Sequence, residues 1–144
     1  MDSLKQACEC NNVALARRLL RGRRKNDANT LFADGLSPLL VASYYGHVEV
    51  AKVLLANKAN VDLAISNGYT PLLVAAQNGH AEVAKVLLEN KANVDLAASD
   101  GTTPLFMAAQ TGHVEVAKVL LAKKANVNLA DSDGYTSLFM ASQH

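Results

Sequence analysis

Marked only as apolar or polar, most of the chain falls into short helical runs that come in pairs. The clearest pair starts at Thr103-Pro104: a hydroxyl that can cap free N–H groups, then a proline whose fixed φ suits the first helical position. Leu105, Ala108 and Ala109 follow at i, i+3 and i+4 and make one apolar face, with alanines small enough to let a neighbouring helix approach. Gly112 closes this run, because glycine adopts the left-handed conformation beyond a helix at little cost. A second run starts at about Val114, and its Val116, Ala117, Leu120 and Leu121 are expected to face inward. Glu115 and Lys118, three apart, belong to its outer face. Next comes "NVNLADSDGY", whose Asp133-Gly134 is a tight-turn signal, so this stretch reads as a hairpin-like finger.

The same pattern recurs every 33 residues. "GLSPLLVASYYGH" begins at Gly35, "GYTPLLVAAQNGH" at Gly68 and "GTTPLFMAAQTGH" at Gly101. Each unit is therefore helix, turn, helix, finger. One unit cannot bury its own apolar face, whereas stacked units share a continuous core.

These residues resemble the ankyrin repeat. The motif G-x-[ST]-P-L-x-x-A-[AS]-x-x-G-H-x-E-V-A-K-V-L-L is met at residues 35–55, 68–88 and 101–121. The resemblance implies an all-α solenoid of helix-turn-helix units with β-hairpin-like fingers along one edge, in a single domain over residues 1–144. Within it, 1–34 reads as a divergent N-terminal capping repeat, 35–67, 68–100 and 101–133 as repeats, and 134–144 as an incomplete one. Three departures from the family pattern carry expectations. The histidine that commonly follows Thr-Pro-Leu is replaced by Leu40, Leu73, Phe106 and Phe139, which predicts a more apolar seam between first helices. The glycine that commonly closes the second helix is replaced by Lys58, Lys91 and Lys124, which are expected to hold positive φ at a cost of about 1 kcal/mol each, unless the loop is rebuilt. The link from Leu20 to Gly35 is two residues longer than that from Leu55 to Gly68, so the first finger should be irregular. After "GYTSLFMASQH" no second helix follows, which leaves the third repeat's second helix uncovered. A piece of a longer array, or self-association through this end with its Phe139 and Met140, is the expectation.

Composition narrows the function more than it changes the fold. Half of the 144 residues are hydrophobic and 19% are charged, as in a folded soluble domain. No apolar run has membrane-spanning length. Cys8 and Cys10 lie two apart and cannot staple distant segments, which favours an intracellular, reducing compartment: the cytoplasm, with the nucleus as second choice. Residues 1–27 hold the basic excess, in Lys5, Arg17, Arg18, Arg21, Arg23, Arg24 and Lys25.

No catalytic motif is present, and the chain is not expected to be an enzyme. His47, His80 and His113 are one repeated position, which points to a local hydrogen-bonding role at the start of the second helix rather than to a base. Asp62 and Asp95 are likewise repeat equivalents. Cys8-Glu9-Cys10 offers two thiols that point to different sides of a helix, against the four ligands of a structural zinc site, so neither metal nor cofactor is expected.

The ankyrin resemblance implies protein recognition through the finger tips and the concave helix face. It assigns partner contacts to Asp34, Leu36, Tyr44 and Tyr45 in one copy; to Ser66, Asn67, Tyr69, Gln77 and Asn78 in the next; to Ser99, Asp100, Thr102, Gln110 and Thr111 in the third; and to Asp133 and Tyr135 in the fourth. All four tyrosines fall on this face. Tyr with Ser, Asn and Gln is the composition of an adaptable binding surface. Two other readings compete: a structural spacer within a longer array, and a basic patch over residues 17–25 that binds nucleic acid or an import receptor. The resemblance also marks Asn128 as the finger asparagine that is hydroxylated in many ankyrin proteins.

Overall fold

The computed structural model describes residues 3–22 and 27–144. They form α1 (Leu4–Glu9), α2 (Val13–Arg21), α3 (Pro38–Tyr45), α4 (Val48–Ala56), α5 (Pro71–Gln77), α6 (Ala81–Glu89), α7 (Pro104–Thr111), α8 (Val114–Ala122) and α9 (Ser137–Ala141). The odd-numbered helices stack in one layer and α2, α4, α6 and α8 in a second, with the paired helices of each unit in contact across the layers.

Each first helix starts for the reason its sequence suggests. Ser37, Thr70, Thr103 and Thr136 lie in extended backbone, and each hydroxyl accepts the N–H three residues on, at 3.2–3.3 Å. Pro38, Pro71 and Pro104 follow at the first helical turn. In the divergent first unit Asn11 takes the left-handed conformation that glycine takes elsewhere, and the Asn12 side chain caps α2 by accepting the Leu15 N–H at 2.9 Å.

The core is one continuous cluster that runs through the stack. Leu54, Leu87 and Leu120, at one repeat position, are all fully buried. Leu40, Leu73 and Phe106 are at most 4% exposed, so the expected apolar seam forms, but Phe139 at the same position is 45% exposed. Leu121 departs from its expected inward orientation: it is 48% exposed, while its equivalent Leu88 is 8% exposed. The difference is the neighbour, since α8 covers α6 and no described second helix covers α8.

Lys58, Lys91 and Lys124 do hold positive φ, at 65°, 68° and 63°. The loop keeps the form that glycine would favour, with the Ala59 N–H on the Leu54 carbonyl and the same bond at Ala92 and Ala125. The fingers are tight turns rather than strands. Each is closed by two backbone bonds, such as Ala98 N–H to Thr102 O and Gly101 N–H to Ala98 O. Among the described residues the sole β feature is an isolated antiparallel bridge between Ala130 and Thr136.

Candidate partner-binding surface

Two ladders hold the repeats in register, and both use residues that the sequence leaves ambiguous. The histidines do not bond locally: His47, His80 and His113 make no side-chain cap to their own helices. Each ring reaches back one repeat, with Nε2 2.9 Å from the Glu9 carbonyl, 2.9 Å from the Tyr44 carbonyl and 3.1 Å from the Gln77 carbonyl. The rings of His80 and His113 lie against Gly46 and Gly79, where a Cβ would come within 2.6–2.7 Å. The second ladder joins the fingers. Asn29 and Asp95 accept the backbone N–H of Asn60 and Asn126 at 2.6 and 2.9 Å, and Asp62 accepts that of Asn93 at 3.2 Å. Asp62 and Asp95 are thus spent on stacking, and Asn128, exposed, is next in their register.

The finger tips use much of their polarity to brace themselves. Asp34, Asn67 and Asp100 each accept the N–H two residues on, at 3.2, 3.2 and 2.9 Å. Asp34 also binds the Lys5 ammonium, which together with the Leu36 N–H holds its carboxyl below the usual range. The backbone and side chain of Thr102 do the same for Asp100. In the fourth finger this work passes to Asp131, which accepts from Asp133 and Tyr135. The Ser99 and Ser132 N–H groups bond to the Asn67 and Asp100 carbonyls, tying finger to finger. No such bond joins Ser66 to Asp34 among the described residues, and the first finger is tied instead to α1 through Lys5. Lys5 is a member of this surface that sequence reasoning missed. It lies 29 residues from Asp34, and only the stacking of α1 against α3 brings them together.

The residues assigned to the surface therefore differ in what they present. Asp34, Ser66, Asn67, Ser99, Asp100, Gln77, Gln110, Thr111 and Asp133 are exposed. Thr111 turns its hydroxyl onto the Met107 carbonyl at 2.7 Å. Asn78 is half-buried and donates to the Val74 carbonyl, and Thr102 is only 5% exposed. Leu36 and Tyr69 are half-buried against the core, and burial, followed by the charge of Asp100, raises the Tyr69 phenol above its ordinary range. Tyr44 and Tyr45 are 52% and 47% exposed and meet edge to face at 5.0 Å, with Tyr45 stacked on His47. Tyr135, at the other end, stacks on Phe139 at 4.7 Å. Tyr44, Gln77 and Gln110 share one repeat position: their carbonyls accept from His80, His113 and His144 while their side chains stay exposed.

The remaining candidates fall apart as sites. Cys8 is fully buried, and burial, then Glu9, pushes its thiol up to about 12, whereas Cys10 is exposed. No cluster of three or more metal-ligating side chains occurs among the described residues. Arg17, Arg18 and Arg21 are exposed on α2; Arg23, Arg24 and Lys25, the rest of the basic run, lie outside the described residues. No described helix is long and apolar enough to cross a membrane.

A family model described as ankyrin repeats (3 copies) matches residues 4–98 and 90–144. No curated protein matches the chain at a significant level.

Proposed function

Because the chain belongs to the ankyrin repeat family, whose repeats are generally non-catalytic protein–protein interaction modules, we propose that it binds a protein partner through its finger tips and the exposed ends of its first helices. It is no enzyme on this reading, and it works inside the cell, in the cytoplasm or the nucleus. The observation that carries the reading is the exposed aromatic pair Tyr44–Tyr45, with Tyr44 at the repeat position of the exposed Gln77 and Gln110. Aromatic pairs of this kind supply large contact area at low entropic cost. The scaffold is preordered by the two ladders, so little ordering entropy is lost on docking. The proposed set gives less weight to Thr102, which is 5% exposed, to Asn78, which donates to the Val74 carbonyl, and to Tyr69, which is half-buried. Affinity capture with the Tyr44→Ala/Tyr45→Ala variant beside the wild type tests this. A partner held by the wild type and lost by the variant supports recognition. Identical captures by both would move the chain to the spacer reading.

A second reading concerns the far end, where Val114, Leu121, Val127 and Leu138 are 46–76% exposed and line a groove of about 540 Å³ with α9. This favours self-association. Sedimentation equilibrium that shows only monomer at high concentration would remove it. Asn128, exposed at the last finger, is the proposed hydroxylation site, and an unmodified Asn128 peptide from the native source would remove that reading.

A further inference from the structure

The second helices share one outward register. Lys52, Lys85 and Lys118 each follow a glutamate by three residues and hold it: Glu49 at 2.8 Å, Glu82 at 2.5 Å and Glu115 at 2.9 Å. α2 keeps the cation and lacks the acid. Arg17 stands where α4 has Lys52, and Ala14 where α4 has Glu49. One turn on, Arg21 replaces Ala56 of α4, Glu89 of α6 and Ala122 of α8. Arg17 and Arg21 are exposed, and among the described residues neither has a carboxylate partner.

The two arginines line an open groove of about 370 Å³ between α2 and α4, together with Lys52, Val53 and Ala56. Val53 is 7% exposed and so lies recessed, while Ala56 is exposed. Glu49 also borders the groove, but its carboxylate is held by Lys52. The groove therefore offers two guanidinium forks, unpaired among the described residues, next to a small apolar strip.

We propose that this groove docks an acidic amphipathic helix from a protein partner, with carboxylates on Arg17 and Arg21 and an apolar side chain over Val53 and Ala56. Charge complementarity selects the acid, because a guanidinium matches a carboxylate with two parallel bonds. The apolar strip selects a peptide, since a helix laid in a groove presents apolar and charged side chains together. The chain's own α4, α6 and α8 display the arrangement that fits: a glutamate one turn from a cation. Nucleic acid fits less well. Its backbone charge recurs about every 1.7 Å along a duplex and about every 3.4 Å along one strand, and asks for a track of free cations. Here the cations of α4, α6 and α8 are already paired, and residues 28–144 hold more Asp and Glu than Lys and Arg.

Fluorescence anisotropy tests the proposal with a labelled peptide of repeated Glu-Ala-Leu-Leu-Glu, a matched peptide with Gln for Glu, and a labelled deoxythymidine oligomer of equal length. The variants are Ala14→Glu, which installs the missing helix pair with Arg17, and Ala56→Glu, which places a carboxylate in the groove. Both copy residues already borne at equivalent positions, Glu49 and Glu89, so an unchanged melting curve is expected. The wild type should bind the Glu peptide and not the Gln peptide. Each variant should weaken binding about fivefold, and so should a rise in salt from roughly 0.05 to 0.3 M. Equal binding by wild type and the double variant, no binding by the wild type, or tighter binding of the oligomer than of the peptide would overturn it.

Discussion

α4 and α8 have the same sequence, VEVAKVLLA, and different fates. Val50 and Leu54 of α4 and Val116 and Leu120 of α8 are all fully buried against their own first helices. Ala51 is fully buried and Val53 is 7% exposed, whereas Ala117 and Val119 are half-buried. Val48 and Leu55 are half-buried, whereas Val114 and Leu121 are 61% and 48% exposed. α6 packs on the side of α4 whose counterpart on α8 no described helix covers, and exposure rises with that loss; Val53 also borders α2. Nine identical letters therefore determine the helix, its capping geometry and its inner face, while the following repeat determines the rest. This is the nearest-neighbour behaviour expected of a solenoid.

The largest test of that division uses one repeat position in two surroundings. Leu72 is fully buried, and Leu138 is 76% exposed. Leu72→Ala should cost about 2–5 kcal/mol in urea unfolding followed by circular dichroism. Leu138→Ala should stay within about 0.5 kcal/mol. Comparable losses would mean that burial is not inherited from the next repeat. A smaller contrast lies at the helix breaks. Gly46 and Gly112 have nearly the same φ, 74° and 72°, but a Cβ at Gly46 would meet the His80 ring at 2.6 Å and one at Gly112 would meet nothing within 4 Å. Gly112→Ala should cost the backbone strain alone, about 1 kcal/mol. Gly46→Ala should cost roughly 2–3 kcal/mol, because the ring must also leave its place beside the Tyr44 carbonyl.

Whatever depends on one repeat's own letters was legible in the sequence. Thr103-Pro104 announces a helix start, Gly112 its end, and Lys58 a positive φ, because each is a matter of a few adjacent backbone groups. What depends on contacts across repeats was not. His80 looks like a local capping residue until the stacked layers bring Tyr44 within 2.9 Å, since a ring has two nitrogens and the sequence does not say where either points. Asp62 carries no mark of its bond to Asn93, 31 residues away. Thr102 occupies the register of Leu36 and Tyr69, yet it is a small side chain enclosed beside Asp100, so repeat position alone overstates its availability to a partner. The candidate surface is a register of positions in the sequence, and the structure adds the hydrogen bonds that several of those residues already make.

The next effect sharpens the comparison from the buried side. Ser43 of α3 is fully buried, and its Oγ has no hydrogen-bond partner among the described residues, whereas α5 and α7 carry Ala76 and Ala109 at that position. The hydroxyl is desolvated by its neighbours, so Ser43→Ala should raise stability by about 1 kcal/mol. An unchanged or lower midpoint in urea would show that the hydroxyl has a partner in solution.

The smallest effect should be blind to surroundings. Lys58 follows the covered α4 and Lys124 the uncovered α8, and both are exposed with φ near 65°. The strain lies in the Cβ and carbonyl of one residue, so the next repeat has no purchase on it. Replacement by glycine relieves that strain but loosens the unfolded chain, which offsets part of the gain. Lys58→Gly and Lys124→Gly should therefore each stabilise by about 0.5 kcal/mol, and by the same amount. If Lys58→Gly gained and Lys124→Gly did not, the turn after α8 would have to relax in solution to a form that lysine tolerates. In that case even the local geometry would depend on the repeat stacked above it, and the division between local letters and neighbouring contacts would fail at its simplest point.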